Sequence, residues 1–116
     1  MRVFISGVRQ DADPQMLSRL IECSPWNIST VITSDRGGVD AWARQWAKES
    51  HKELVVLKAR WGVRGRHAIR MRNIEAMTQS DACVLFMRHS CPYCVSILQR
   101  VSNWKIPTYL QTLESA

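Results

Sequence analysis

The chain has 116 residues, 46% hydrophobic and 22% charged, and its 16 Lys and Arg against 10 Asp and Glu give a net charge of +6. This length supports one folding unit with a real core, read here as a single domain over residues 1–116, and leaves no room for two. The composition excludes disordered and fibrous classes, no apolar run reaches the roughly 18–20 residues of a membrane span, and the positive charge favours anionic ligands or polyanions.

Arg2 to Ser6 reads as a first apolar strand, with Gly7 opening the turn after it. A secretory leader needs a longer apolar stretch and a small-residue cleavage site, so this start implies a cytoplasmic protein. The cysteines (Cys23, Cys83, Cys91, Cys94) are then expected as thiols. Asp13-Pro14 marks a helix start, with a carboxylate cap and proline at the first helical position; Leu17, Leu20 and Ile21 form its apolar face, and Ser24-Pro25 ends it.

Ser29 to Thr33 is a second strand that runs into Ser34-Asp35-Arg36-Gly37-Gly38. From Val39, the residues Val39, Trp42, Ala43, Trp46 and Ala47 recur at the spacing of a helix packed on a core. A strand, a glycine loop and a helix beginning at that loop form an anion-binding device, because free backbone N–H groups and the positive dipole end face the loop. On this reading Gly37 and Gly38 cradle a phosphate, Arg36 grips it with a planar fork, and Asp40 caps the helix or accepts from a ribose hydroxyl. A plain tight turn with a first-turn carboxylate is the simpler alternative.

Glu53 to Lys58 holds the apolar run Leu54-Val55-Val56-Leu57, the pattern of a strand buried on both faces. A connection rich in Arg and Gly covers Ala59 to Arg66, and a third helix is predicted over His67 to Gln79. Arg66, Arg70 and Asn73 fall at i, i+4, i+7 and line one face of it, either as an electropositive wall with an amide for recognition or as a solvated face. Trp61 is placed to stack on a base, to join the core, or to meet neighbouring arginines through its ring.

Asp81 to Met87 is a fourth strand, Pro92 to Asn103 a fourth helix, and Ile106 to Leu110 a fifth strand. Cys91-Pro92-Tyr93-Cys94 matches the active-site motif of glutaredoxins at a helix N-terminus, where a thiol becomes nucleophilic. The motif stands near the end of the chain, however, with only one helix and one strand to follow, so redox activity is not the main reading. His89, Cys91 and Cys94 lack a fourth zinc ligand, and no catalytic triad is apparent; no metal or cofactor is expected.

Strands and helices alternate without repeat or linker, which argues for an α/β fold: an open parallel five-stranded sheet with helices on both faces. Right-handed crossovers bring every strand-to-helix loop to one sheet edge, where ligands of such sheets bind. That edge gathers Ser6 to Arg9, Ser34 to Asp40, Arg60 to Arg66 and Arg88 to Cys94, including Ser90.

The chain resembles the small YspA-type members of the SLOG superfamily, which are Rossmann-like proteins that include nucleotide sensors and phosphoribohydrolases. The resemblance spans nearly the whole chain. Ser6-Gly7-Val8-Arg9 is similar to the family's first-loop Gly-x-Arg element, and Gly38-Val39-Asp40 with Ala43 and Trp46-Ala47 to its Gly-Ala-Asp…Ala…Trp-Ala signature. Trp61, Gly65 and Arg72-Asn73 are similar to its Trp…Gly…Arg-Asn segment, and Asp81-Ala82 leads into the fourth strand as expected.

The chain departs from the family in having Ser34-Asp35 where a Gly-Gly pair is common, and Met87 to Tyr93 where a Pro-Gly-Gly-x-Gly-Thr loop is common. The catalytic glutamate of hydrolytic relatives has no counterpart after that loop before Glu114. The resemblance therefore implies a non-catalytic binder of a nucleotide or nucleotide-derived signal, acting as a sensor or a sequestering protein. Sequestration of a nucleotide immune messenger by a phage anti-defence protein is its sharper form. The shared sheet edge, the helix spacing and the resemblance together give the candidate ligand-binding set Ser6, Gly7, Arg9, Ser34, Asp35, Arg36, Gly37, Gly38, Asp40, Trp61, Arg66, Arg70, Arg72, Asn73, Arg88 and Ser90. The resemblance also implies a homodimer or larger homo-oligomer, and no membrane attachment is expected. The alternatives are a phosphoribohydrolase using Asp35 or Asp40 as substitute acid, and a single-stranded nucleic-acid binder using charge and tryptophans.

Overall fold

The computed structural model describes residues 1–113, so Glu114 lies outside the described residues. Strands β1 (Arg2–Gly7), β2 (Thr30–Ser34), β3 (Glu53–Leu57), β4 (Ala82–Met87) and β5 (Thr108–Thr112) form one sheet in the order β3-β2-β1-β4-β5. Every neighbouring pair is parallel. Helices α1 (Pro14–Glu22), α2 (Val39–Glu49), α4 (Ala68–Thr78) and α5 (Pro92–Asn103) make the crossovers, and a short α3 (Trp61–Arg64) with a 3-10 turn over Gly65–His67 precedes α4. The chain steps outward from β1 to β3, then returns through α4 to β4, so right-handed crossovers place α1 and α2 on one face and α4 and α5 on the other. The architecture is Rossmann-like.

Local sequence explains the helix starts. Asp13 caps α1 by accepting from Gln15 N at 3.0 Å, with Pro14 at the first helical position. At α5, Cys91 takes the cap position and its Sγ accepts from Cys94 N at 3.4 Å. Helix α2 has no side-chain cap. Its first N–H, on Val39, instead donates to Val8 O at 3.0 Å, so the β1–α1 loop closes over the start of α2.

The core lies where β1, β2 and β4 are sandwiched: Val3, Ile5, Val31, Ile32, Val84 and Leu85 are wholly buried. Strand β3 departs from expectation. It is an edge strand paired only with β2, Val56 is 36% exposed, and no residue of it is fully buried. A continuous apolar run fits a strand buried on both faces, but the crossovers leave this one at the margin. The fifth strand begins two residues later than expected because the chain is still closing α5. Ile106 N donates to Val101 O at 2.9 Å, and Lys105 takes a left-handed φ of 56°.

Two glycines are required by close packing. A Cβ at Gly7 would lie 2.1 Å from Phe86 O, so only glycine lets the end of β1 approach β4 this closely. Gly38 has a φ of 66°, and a Cβ there would lie 2.3 Å from Val8 O. These contacts set the spacing of three strand-end loops around the sheet's carboxyl edge.

Candidate functional site

A buried polar relay lies beneath that edge. The Asp40 carboxylate, wholly buried in the first turn of α2, accepts from Ser6 Oγ at 2.8 Å and from Ser34 Oγ at 2.5 Å. These serines end β1 and β2, so one side chain ties two strand ends to a helix start. Arg36 places Nη1 at 3.6 Å from Asp40 Oδ1, donates to Gly7 O at 3.2 Å, and stacks its guanidinium 3.5 Å above the Tyr93 ring. Burying a carboxylate is tolerable only with such paired and hydrogen-bonded surroundings.

The direction of the relay follows from counting protons. Ser6 has one hydroxyl hydrogen and gives it to Asp40, which can only accept. The Tyr93 hydroxyl, 2.9 Å from Ser6 Oγ, is therefore the donor in that pair. Tyr93 in turn accepts from Arg72 Nη2 at 3.3 Å, and its one hydrogen, directed to Ser6 Oγ at the shorter distance, is shared with Asn73 Oδ1 at 3.3 Å. Arg72 Nη2 reaches the same Asn73 oxygen at 3.2 Å. The path runs Arg72 to Tyr93 to Ser6 to Asp40, joining α4, α5, β1 and α2. Burial pushes the Tyr93 phenol upward, and the nearby Asp40 charge adds to this against Arg36, Ser6 and Arg72.

Above the relay, a cavity of about 290 Å³ opens between the β1–α1 and β4–α5 loops, lined by Arg9, Arg88, Ser90 and Cys91 among others. It sits where β1 and β4 are neighbours and the chain's outward progression reverses, the point at which ligands enter open parallel sheets. Arg88 donates to Gln10 O at 2.9 Å and to Asp11 O at 2.7 Å, holding the opposite wall in place. Arg9 and Ser90 are exposed on the rim. A larger groove of about 480 Å³ runs between α1 and α2 past Trp42 and Trp46, but its walls are helix flanks and it contains no strand end.

The sequence-predicted residues therefore separate into layers. Ser6, Ser34, Asp40, Arg72 and Asn73 are buried in the relay. Gly7 and Gly38 are packing positions, whereas a Cβ added at Gly37 would meet nothing within 4 Å, so that glycine faces open space. Asp35 is exposed beside it. The arginine wall divides: Arg66 lies in the 3-10 turn and Arg70 on the exposed side of α4, within 3.2 Å of His67 Nδ1, while Asn73 turns inward. Trp61 is 59% exposed on α3.

Two contributors escape a reading of the sequence. Tyr93 stands at the centre of the relay, and Arg44 donates from Nη1 to Ser34 O and Arg36 O at 2.5 and 2.8 Å, fixing the glycine loop. In the sequence Tyr93 stands out only as part of a cysteine motif; its position in the first turn of a helix after a central strand is the available signal. Arg44 has no local signal.

Comparison with protein-family models, curated proteins and solved structures finds no match to this chain. Among the described residues, no cluster of three or more His, Cys, Asp or Glu is placed to hold a metal ion, and no helix is long and apolar enough to cross a membrane.

Proposed function

We propose that this protein binds an anionic, nucleotide-type small molecule in the crevice between the β1–α1 and β4–α5 loops, without turning it over. The observation that carries this reading is the cavity at the strand-order reversal, with Arg9, Arg88 and Ser90 in its walls. Arg9 and Ser90 supply donors to phosphate, Arg88 keeps the crevice open, and Gly37 allows close approach from the neighbouring loop. Trp61 offers an exposed aromatic face for a base on the same sheet edge. The resemblance to small SLOG proteins supports the nucleotide class, a sensing or sequestering role and pairing into a homo-oligomer.

Burial argues against Asp40 as a substitute catalytic acid: it is wholly buried, and both its oxygens already accept from serines. Asp40 therefore fits a scaffold role better than that of a catalytic acid, and the nucleotide panel below tests the exposed Asp35. The test begins with native mass spectrometry of purified protein and analysis of anything released on denaturation. Calorimetric titration with AMP, ADP-ribose, a cyclic dinucleotide, inorganic phosphate and oligothymidylate follows. Saturable binding of an intact nucleotide that weakens in Arg9→Ala supports the proposal. Release of free base would establish a hydrolase, and affinity that rises with strand length and falls steeply with salt would establish single-stranded nucleic-acid binding.

A further inference from the structure

The wall of the same crevice carries a second chemistry, independent of what the crevice binds. Cys91 caps α5, is half-buried, and lines the cavity. Cys94 lies one turn further along, wholly buried, and its backbone N–H donates to Cys91 Sγ at 3.4 Å. That bond places Cys91 Sγ against the start of the Cys94 turn, and burial first, then the neighbouring Cys91 thiol, push the Cys94 thiol up to about 12. Residues three apart in a helix have Cβ atoms about 5–6 Å apart, and a disulfide needs these at roughly 3.5–4.5 Å, so closure asks for a small shift in the first turn.

We propose that Cys91 and Cys94 form a reversible intramolecular disulfide with a small-molecule disulfide as oxidant, Cys91 being the attacking thiol and Cys94 the resolving one. Cys91 loses its proton to solvent, and its thiolate attacks one sulfur of the oxidant, forming a mixed disulfide and expelling one thiolate. Cys94 then attacks Cys91 Sγ, giving up its proton to the thiolate being expelled, so that the mixed disulfide breaks and the second small thiol leaves. Two protein thiols are oxidised and one small disulfide is reduced to two thiols. The asymmetry of the pair assigns the order: Cys91 lines the cavity and is open to a reagent, while Cys94 is wholly buried. The remaining cysteines cannot substitute. Cys83 is wholly buried in β4, and Cys23 lies exposed at the end of α1.

Because Cys23 is open to reagent, the experiment uses the full chain carrying Cys23→Ser, treated with glutathione disulfide and read by intact-mass spectrometry with peptide mapping. The expected product is two hydrogens lighter, links Cys91 to Cys94, and returns to the starting mass with excess dithiothreitol. Adding Cys94→Ser should trap a single glutathione on Cys91, whereas adding Cys91→Ser should leave the protein unmodified. The proposal is overturned if the Cys23→Ser protein stays unmodified or accumulates glutathione on Cys91 without closing. Because that result comes from the protein with Cys91 and Cys94 intact, it does not depend on how the buried Cys94→Ser change folds. It is also separate from any failure of nucleotide binding, which the titrations read.

Discussion

The Tyr93 hydroxyl donates to Ser6 Oγ across 2.9 Å, joining the first turn of α5 to the buried end of β1. Ser6 passes its own hydrogen to Asp40, so a change at Tyr93 reaches α2 through this serine. Tyr93→Phe removes this donor and the acceptor used by Arg72 while keeping the ring beneath Arg36. The expected loss is about 1–3 kcal/mol of unfolding free energy, read by urea denaturation with an unchanged slope.

Asp40→Asn tests the relay at its other end. The substituted amide keeps the shape but loses the charge that faces Arg36 at 3.6 Å, and it turns one acceptor into a donor facing a serine. Breaking a buried pair by removing one charge costs about 3–5 kcal/mol. Since the Arg36 side chain retains 14% exposure, the lower end is expected, measured by the same denaturation.

The adjacent glycines should behave in opposite ways. Gly38→Ala forces a Cβ to 2.3 Å from Val8 O at a φ of 66°, and the backbone on both sides must move. A loss of at least about 2 kcal/mol is expected, since strain of this kind adds to a clash that no side chain can relieve. Gly37→Ala meets open space, and the change in thermal midpoint should be within a few degrees.

Alkaline pH should destabilise the fold in a defined window. Burial raises the Cys83 thiol from 9.0 to about 12, and burial followed by contact with Cys91 raises Cys94 likewise. Above pH 9 the unfolded chain releases protons that the folded chain retains, so the stability present below pH 9 is lost as pH rises towards 12. Each thiol contributes a slope of up to about 1.4 kcal/mol per pH unit, and the raised Tyr93 phenol acts in the same direction. Cys83→Ala should flatten the decline by one thiol in unfolding curves recorded under reductant.

Ligand binding and folding should separate at the arginines. Arg9 is exposed on the cavity rim, so Arg9→Ala should weaken nucleotide affinity about tenfold with no change in thermal midpoint. Arg72 is 4% exposed and bonded to Asn73 and Tyr93. Arg72→Ala should therefore lower the midpoint itself, and calorimetry alongside thermal melts distinguishes the two effects.

The alternation of apolar strands with helical spacing, the Asp13-Pro14 start and the span of α5 can all be read locally, and they suffice for a parallel sheet whose loops share one edge. These features are legible because periodicity and capping act over a few neighbouring residues. The edge position of β3 is not legible, since Leu54 to Leu57 reads the same whether one strand or two lie beside it. Nor is the division of the arginines: spacing places Arg66, Arg70 and Asn73 together, but only packing turns Asn73 inward with Arg72 and leaves the others in solvent. Tyr93 meets Ser6 across 87 positions of chain, and Arg36 meets the Tyr93 ring. Chemistry of this kind is decided by which strand ends the crossovers bring together, so the sequence by itself determined the elements and their shared edge, while the tertiary structure decided which polar groups became scaffold and which remained open to a ligand.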